Sequence, residues 1–291
     1  MAGQTISEIR DLLAGAGLSP LHRFGQNFLI DLNLMRKLVD AAEVGPADVV
    51  LEVGPGTGSL TEVMLERGAR VIAVEIDHGF QQLLHSRLDT QPRFTLIAGD
   101  ALAGKHALNP QIAVEFERQI PDSGGSRKLV ANLPYQIATP LVMELLHCTP
   151  PLSCLACTIQ KEVAERLRAV PGAADYGPLS VITQTLALVE WIAKLPPTVF
   201  WPAPTVESAM VKLTPIARSE LPVTDPEGFA RFVQAGFAQR RKMLRRLIKE
   251  MNISNAESRF AAAGISPEAR PESLSVAQWQ QFHRVLGPLP V

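Results

Sequence analysis

The chain has 291 residues, of which 46% are hydrophobic and 20% are charged, and its formal net charge is −1. This balance excludes a fibrous, disordered or uniformly basic chain and fits one sizeable core with a small second domain. No apolar run approaches the roughly 18 residues of a membrane helix, and the start, MAGQTISEIR, lacks a secretory signal pattern, so we expect a cytoplasmic protein without a membrane partner.

Short runs rich in Val, Ile and Leu alternate with helix-like stretches in the first half of the chain. Strands are predicted at residues 48–53, 70–76, 94–98, 128–132 and 152–160. Helices are predicted at residues 7–17, 33–43, 58–67, 78–88 and 138–147. This alternation indicates an open α/β fold with a parallel sheet, which binds ligands at the carboxyl ends of its strands.

The second half of the chain changes character. Residues 104–127 include the cluster PDSGGSR and predict a long loop with one short helix. A helical run that starts at YGPLS is followed by WIAKL and AMVKLTP, two strands that should extend the sheet. The segment IARSELPVTDPEG predicts a linker, and helices are expected after it at residues 227–249, 255–265 and 275–287. We therefore predict one domain over 1–215 and a small helical domain over 216–291.

Two of the three cysteines, Cys154 and Cys157, form a CxxC pair inside the apolar run LSCLACTIQ. Residues three apart on a strand face opposite sides, so these thiols cannot bind one metal ion together. The six histidines are scattered, and no second CxxC is present. We predict no metal site and interpret the cysteines as small core residues.

Three strand ends carry signals for a nucleoside-containing ligand. Gly54 and Gly56 follow the first strand of the sheet, and glycines let the backbone approach a ligand closely. Glu75 ends the next strand and can accept hydrogen bonds from ribose hydroxyls, while Asp100 follows the third and can hold an adenine amino group. Each signal has another interpretation, namely a tight turn, an NAD site or a helix cap. Their order along the chain favours the nucleoside site.

The fourth strand ends in Asn132, Leu133, Pro134 and Tyr135. An adenine amine is a poor nucleophile because its lone pair is delocalised into the ring. The Asn132 side-chain oxygen and the Leu133 main-chain carbonyl can accept its two hydrogens, Pro134 stiffens the turn, and Tyr135 offers a ring face for stacking. The turn therefore indicates methyl transfer to an adenine amine, and a simple Asn-Pro turn is the alternative.

A second aromatic segment, FWPAPTVESA, follows the predicted strand WIAKL. Phe200 could cover the other face of a base that has left its stack, or it could be a buried loop anchor. For Trp201 the buried anchor is the preferred interpretation.

Several further motifs occur in one order along the chain. They are GQNFL, EVGPGTGSLT, EID, GDAL, NLPY, QKEVAERL, YGPLSV, FWPAPTVESA and FAQRRKMLR. Together they resemble the ribosomal RNA adenine dimethyltransferases over about residues 5–250, and KEVAERL with YGPLSV looks more like the branch that acts on the small subunit.

The resemblance implies a Rossmann-like methyltransferase sheet that uses S-adenosyl-L-methionine, with a small C-terminal all-helical domain. The implied cofactor-binding residues are Gln26, Asn27, Leu29, Gly54, Gly56, Glu75, Asp100, Ala101 and Asn132. The implied substrate is a pair of adjacent adenines near the 3′ end of 16S rRNA, in the 30S subunit or its precursor, and each adenine receives two methyl groups from a monomeric enzyme.

A basic segment near the C-terminus is the expected RNA contact, and the resemblance agrees. Six of its ten residues are basic: Arg240, Arg241, Lys242, Arg245, Arg246 and Lys249. On a continuous helix, Arg241, Arg245 and Lys249 would share one face and could follow a phosphate backbone. The alternative is a solvated helix face. Arg23 and Lys161 are expected to extend this surface.

Four other functions remain as alternatives at this point. The enzyme could modify large-subunit rRNA instead, or the chain could be a ribosome-assembly factor whose binding role dominates. A DNA adenine-N6 methyltransferase would use a similar NLPY turn. An NAD oxidoreductase would leave that turn unexplained and would lack a group for hydride transfer.

Overall fold

The computed structural model describes residues 5–19, 26–104, 107–119, 124–251 and 253–287. Within these ranges, no helix is both long and apolar enough to cross a membrane. The helices are α1 (Ile6–Gly15), α2 (Leu32–Ala41), α3 (Ser59–Glu66), α4 (His78–Leu88), α5 (Pro110–Arg118), α6 (Tyr135–His147), α7 (Lys161–Leu167), α8 (Pro178–Leu186), α9 (Pro226–Ala238), α10 (Leu244–Glu250), α11 (Ala256–Ala263) and α12 (Val276–Leu286). The strands are β1 (Phe28–Leu29), β2 (Val49–Val53), β3 (Arg70–Glu75), β4 (Phe94–Ala98), β5 (Leu102–Gly104), β6 (Ala107–Leu108), β7 (Arg127–Asn132), β8 (Cys154–Gln160), β9 (Ala187–Leu195), β10 (Phe200–Trp201) and β11 (Ser208–Pro215).

The central sheet has seven strands in the order β4-β3-β2-β7-β8-β11-β9. Strands β4, β3, β2, β7 and β8 pair in parallel, and β11 pairs antiparallel with β8. The predicted parallel sheet and its extension by AMVKLTP and WIAKL are therefore confirmed. The strand order reverses between β2 and β7, which opens a crevice at the carboxyl ends of these two strands.

Burial explains why these runs form central strands. Every residue of Val49–Val53 is buried, and so are Val71–Glu75 in the neighbouring strand. A strand that is covered on both faces requires such a continuous apolar run. Cys154 and Cys157 are buried in β8, and burial raises the pKa of their thiols to about 11 and about 12. The interpretation of these cysteines as core residues is confirmed.

The contacts divide the chain into two compact units. The first contains residues up to Ala164 together with Glu190–Pro215, and the second contains Glu165–Val189 together with the residues from Ile216 onward. The limit at 215/216 coincides with the expected one, but residues 165–189 group with the C-terminal helices. Tyr176 explains this grouping within the second unit, because its buried hydroxyl donates a 2.7 Å hydrogen bond to the carbonyl of Leu274.

The helix predicted over 227–249 is wrong as a single element. It is two helices, α9 and α10, separated by residues 239–243. The first backbone amides of α10 find acceptors elsewhere: Leu244 donates to the carbonyl of Ala269 at 2.9 Å, and Arg245 donates to that of Pro267 at 3.0 Å. Since these amides are satisfied from outside, the helix begins anew at Leu244. Arg241 therefore precedes α10 and does not share a helical face with Arg245.

The segment predicted as a long loop is more ordered than expected. It contains β6, which pairs antiparallel with β5, and the helix α5, so the expected short helix is confirmed. Asn109 caps α5 through a 3.0 Å hydrogen bond from the amide of Gln111, and Pro110 occupies the first helical turn.

Candidate active site

A cavity of about 270 Å³ lies at the carboxyl ends of β2, β3, β4 and β7. Its lining residues come from these strand ends, from the start of α6 and from the segment before β1. They are Gln26, Asn27, Phe28, Val53, Gly54, Gly56, Val74, Glu75, Ile76, Gly99, Asp100, Ala101, Asn132, Leu133, Pro134, Tyr135, Gln136 and Ile137. The three strand-end signals and the NLPY turn thus meet in one place.

The glycine loop after β2 forms one wall of the cavity. Gly54 and Gly56 have φ angles of +71° and +57°, a region that residues with a Cβ rarely adopt. A Cβ at Gly56 would lie 2.6 Å from the ring of Phe28, and one at Gly54 would lie 3.1 Å from Pro134. The loop therefore needs glycine both for its conformation and for its close contacts with the other walls.

Glu75 brings a buried carboxylate to the end of β3. Its Oε1 accepts a 2.9 Å hydrogen bond from the amide of Asp77, and the amides of Gly56 and Ile76 also bond to it. Burial outweighs these bonds and raises the pKa of the Glu75 carboxyl to about 7. Asp77 itself caps α4 through the amide of Gly79 at 2.8 Å, so the EID motif fixes both the strand end and the helix start.

Asp100 is held by the hairpin that follows it. Its Oδ1 accepts a 2.9 Å hydrogen bond from the amide of Leu102, and its carbonyl accepts one of 2.9 Å from the side chain of Asn109. Ala101 is buried beside it at the cavity wall. The hairpin thus has a local role, because it positions the residue expected to contact an adenine.

Asn132 is anchored on both sides of its side-chain amide. Its Nδ2 donates a 2.7 Å hydrogen bond to the carbonyl of Asn27, and its Oδ1 accepts one from the hydroxyl of Thr158. Because a carbonyl can only accept, the NH₂ group must face Asn27, and this settles the amide orientation. Oδ1 retains a second lone pair for another donor.

The rest of the NLPY turn is held by strands β8 and β11. The amide of Leu133 donates to the carbonyl of Thr158 at 3.2 Å. The hydroxyl of Tyr135 lies 2.6 Å from that of Ser208, and burial raises the pKa of this tyrosine. Tyr135 remains part of the cavity lining, as expected for a stacking surface.

Two predicted site residues do not line the cavity. Leu29 and Phe200 are Cα partners in the β1–β10 pair, and they are only 5% and 3% exposed within the core. Side chains alternate along a strand, so Phe28 faces the cavity while Leu29 packs inward. Phe200 is buried against the core beside Leu29, so its predicted stacking role is wrong and the buried-anchor interpretation is correct.

Trp201 belongs to an aromatic cluster beside the cavity. Its ring stacks on that of Phe28 with a centroid distance of 6.3 Å, and the guanidinium of Arg10 lies 5.3 Å above it. Trp201 is half-buried and therefore acts as an anchor for the wall that Phe28 forms.

Several lining residues escaped the sequence analysis. Ile76 is 48% exposed although it is apolar, and it provides a flat hydrophobic surface next to Glu75. Its position directly after Glu75 in the EID motif is the sequence signal that points to it. Gly99 is the first residue of the GDAL motif beside Asp100, whereas Gln136 and Ile137 reach the cavity only because α6 begins there.

The basic segment divides into structural and exposed cations. Arg240 donates to Glu272 at 2.6 Å and to the carbonyls of Ala174 and Ala173 at 2.9 and 3.3 Å. These bonds give it a structural role, and its contact with RNA stays a prediction. Arg246 pairs with Glu250 at 2.8 Å, and its side chain is 56% exposed. The remaining four are also exposed: Arg241, Lys242, Arg245 and Lys249.

Two outlying cations were expected to add to this surface. Lys161 pairs with Glu207 at 3.0 Å, and Lys194 pairs with the same carboxylate at 2.6 Å. Arg23 lies outside the described residues.

The sheet order, the glycine loop, Glu75, Asp100 and the NLPY turn define a class: an S-adenosylmethionine-dependent methyltransferase with a Rossmann-like fold. The donor set fits this cofactor, since the buried carboxylate of Glu75 and the closely packed glycines leave room for a nucleoside. The sequence profile described as "Ribosomal RNA adenine dimethylase" matches residues 20–286. The chain belongs to this family, and its substrate is therefore rRNA.

Comparisons with individual proteins agree with the family. The chain is 41% identical over 277 residues to the ribosomal RNA small subunit methyltransferase A of Phenylobacterium zucineum (strain HLK1). The aligned region covers 95% of this chain and 92% of that protein. A dimethyladenosine transferase structure from Plasmodium falciparum matches with a TM-score of 0.68 and 25% identity, over 87% of this chain and 94% of that one. The 23S rRNA methyltransferase ErmE matches with a TM-score of 0.64 and 25% identity, over 89% of this chain and 99% of that one.

Proposed function

We propose that the protein transfers methyl groups to N6 of two adjacent adenines in small-subunit 16S rRNA and forms N6,N6-dimethyladenosine. The observation that carries the proposal is the NLPY turn at the wall of the cofactor cavity. There Asn132 keeps one lone pair on Oδ1, and its neighbour Leu133 contributes a main-chain carbonyl. These are two acceptors for the two hydrogens of an adenine amine.

The chemistry requires little more than alignment and acceptors. S-Adenosylmethionine supplies a methyl group that is already strongly electrophilic. Asn132 and Leu133 accept the amine hydrogens and draw the nitrogen lone pair out of conjugation, while Tyr135 supports the base from one face. The nitrogen becomes more acidic once it is methylated, so no strong general base is needed. Glu75 and Asp100 hold the nucleoside end of the cofactor.

The choice of the small subunit rests on the degree of similarity. The Phenylobacterium protein, whose name specifies the small subunit, is 41% identical, whereas the large-subunit enzyme ErmE is 25% identical. The large-subunit target is the second candidate, because ErmE shares the fold over most of the chain.

The exposed cations of the second unit can bind the phosphate backbone of the RNA. Arg241, Lys242, Arg245 and Lys249 lie within one short stretch around the start and end of α10. Clustered cations on one surface bind phosphates through release of counterions, even in a chain of near-zero net charge. We propose that they contact the 30S subunit or its precursor, and that the enzyme acts as a monomer in the cytoplasm.

The decisive experiment is transfer of labelled methyl groups to unmethylated 30S particles. Intact 50S particles and duplex DNA serve as alternative acceptors, and Asn132→Ala, whose rate should be far below that of the wild type, serves as the negative control. We expect N6,N6-dimethyladenine from 30S alone. Label on 50S particles or on DNA would overturn the substrate, and tight 30S binding without any label would favour the assembly-factor alternative.

A further inference from the structure

Thr158 is a buried residue that does not belong to the lining of the cavity. It lies on β8, where it is the Cα partner of Asn132 on β7, and its exposed fraction is zero. A fully buried hydroxyl requires hydrogen-bond partners. The hydroxyl of Thr158 lies next to Asn132, at the end of the cavity where methyl transfer is proposed.

Thr158 bonds to both halves of the acceptor pair. Its hydroxyl donates to Oδ1 of Asn132, and its carbonyl accepts from the amide of Leu133 at 3.2 Å. The first bond fixes the side-chain acceptor, and the second holds the amide of Leu133, the residue whose carbonyl is the main-chain acceptor. One residue therefore sets the spacing of the two oxygens.

The third support comes from the cofactor side. Nδ2 of Asn132 donates to the carbonyl of Asn27, a residue of the cavity wall, at 2.7 Å. Rotation of the Asn132 amide by half a turn would break its bonds to Asn27 and Thr158. It would also place Oδ1 against the carbonyl oxygen of Asn27, which repels it. The remaining lone pair of Oδ1 is thereby fixed in direction.

We infer that Thr158 is a positioning residue for methyl transfer, which aligns the oxygens of Asn132 and Leu133 on the target amine. The inference rests on the proposed role of Asn132. Reaction rate depends steeply on such alignment, because transition-state hydrogen bonds weaken when donor and acceptor are misdirected.

The test compares two substitutions that differ in the hydroxyl. Thr158→Val preserves the shape and the main-chain bond but removes the donor, whereas Thr158→Ser retains it. We expect the valine variant to lower kcat by about tenfold or more, the range in which indirect contacts orient active groups, with KM for S-adenosylmethionine within about twofold. The serine variant should recover most of the rate.

Controls separate positioning from general damage. Thr185→Val removes another buried hydroxyl, one that donates to the carbonyl of Val181 at 2.8 Å in the second unit, and it should leave kcat unchanged. Thermal unfolding is measured for each variant, and Thr158→Ala replaces the valine variant if that protein does not fold.

A double substitution tests whether Thr158 acts through Asn132. Adding Thr158→Val to Asn132→Ala should cause no further loss of the residual rate, because the hydroxyl acts through Asn132. A normal kcat in Thr158→Val, or equal losses in the valine and serine variants, would overturn the inference while Asn132→Ala keeps only its low residual rate. Full activity of Asn132→Ala itself would instead refute the proposed role of Asn132.

Discussion

The hydroxyl of Tyr135 lies 2.6 Å from the hydroxyl of Ser208. Tyr135 starts α6 at the cavity, and Ser208, within the FWPAPTVESA segment, starts β11. The hydrogen bond therefore fixes the ring at its far end, and the ring face at the cavity has one orientation. A base that stacks there meets a surface that is already ordered.

Ser208→Ala should weaken use of the RNA substrate. The loss of one hydrogen bond is worth about 1 kcal/mol, so we expect kcat/KM for RNA to fall about fivefold. Tyr135→Phe removes the same bond from the other side and should give a similar loss. The double variant should be no worse than either single variant, and additive losses would show that the two hydroxyls act independently.

The affinity for S-adenosylmethionine should depend on pH through Glu75. Burial raises the pKa of this carboxyl to about 7, and the ionised form accepts hydrogen bonds from ribose hydroxyls best. We expect the Kd to fall as pH rises from about 6 to about 8, because proton release precedes binding. Calorimetric titration of Glu75→Gln should show weaker binding without this dependence. The same pH profile in that variant would rule out Glu75 as its source.

Glu52 should make the folded state progressively less stable as pH rises from about 5 to about 8. It is 2% exposed, its Oε2 accepts a 2.5 Å hydrogen bond from Thr61, and burial raises its pKa from 4.5 to about 8. Between these values the unfolded chain releases the proton and the folded chain retains it, so the free energy of unfolding decreases with rising pH.

Glu52→Gln removes this titration and keeps an acceptor for Thr61. Urea unfolding at about pH 5 and about pH 8 should show that the glutamine variant gains stability relative to the wild type at the higher pH. An unchanged difference between the two pH values would mean that Glu52 is ionised in the folded protein.

Gly56→Ala should abolish cofactor binding. The new Cβ would lie 2.6 Å from the ring of Phe28, in addition to the strain of a φ of +57°. Gly172→Ala is the matched control, since Gly172 has a φ of +83° but no neighbour within 4 Å. We expect the control to lose about 1 kcal/mol of stability and to bind normally. Equal binding by both variants would contradict the close packing of Phe28 on the loop.

Arg245 and Arg240 should respond differently to substitution. Arg245→Gln removes an exposed cation, so RNA binding should weaken and the slope of log Kd against log salt should fall by about one. Arg240→Gln removes the bonds to Glu272 and to two carbonyls, so it should lower the melting temperature instead. A changed salt slope with Arg240→Gln and none with Arg245→Gln would reverse the two assignments.

The sheet and most of the cavity could be predicted because their signals are local. Val49–Val53 is an uninterrupted apolar run, and Gly54, Glu75, Asp100 and Asn132 follow strand ends that a parallel sheet must bring together. These positions require only the period of the strands and their order along the chain.

The errors arose where contacts distant in sequence decide the outcome. Which of Phe28 and Leu29 faces the cavity depends on pairing with Phe200 and Trp201, and the start of α10 depends on carbonyls at residues 267–269. The bonds of Thr158 to Asn132 and Leu133 likewise exist only after β7 and β8 have paired. A periodic pattern contains no information on such partners.

The pairing of β1 with β10 also sets an order of events during synthesis. Phe28 forms part of the cavity wall, but its strand partner Trp201 leaves the ribosome only after most of the first unit has been made. The glycine loop and Glu75 can reach their places earlier, since β2, β3 and β4 are consecutive in the chain. The nascent enzyme therefore completes its cofactor pocket late, when the segment that follows β9 has emerged.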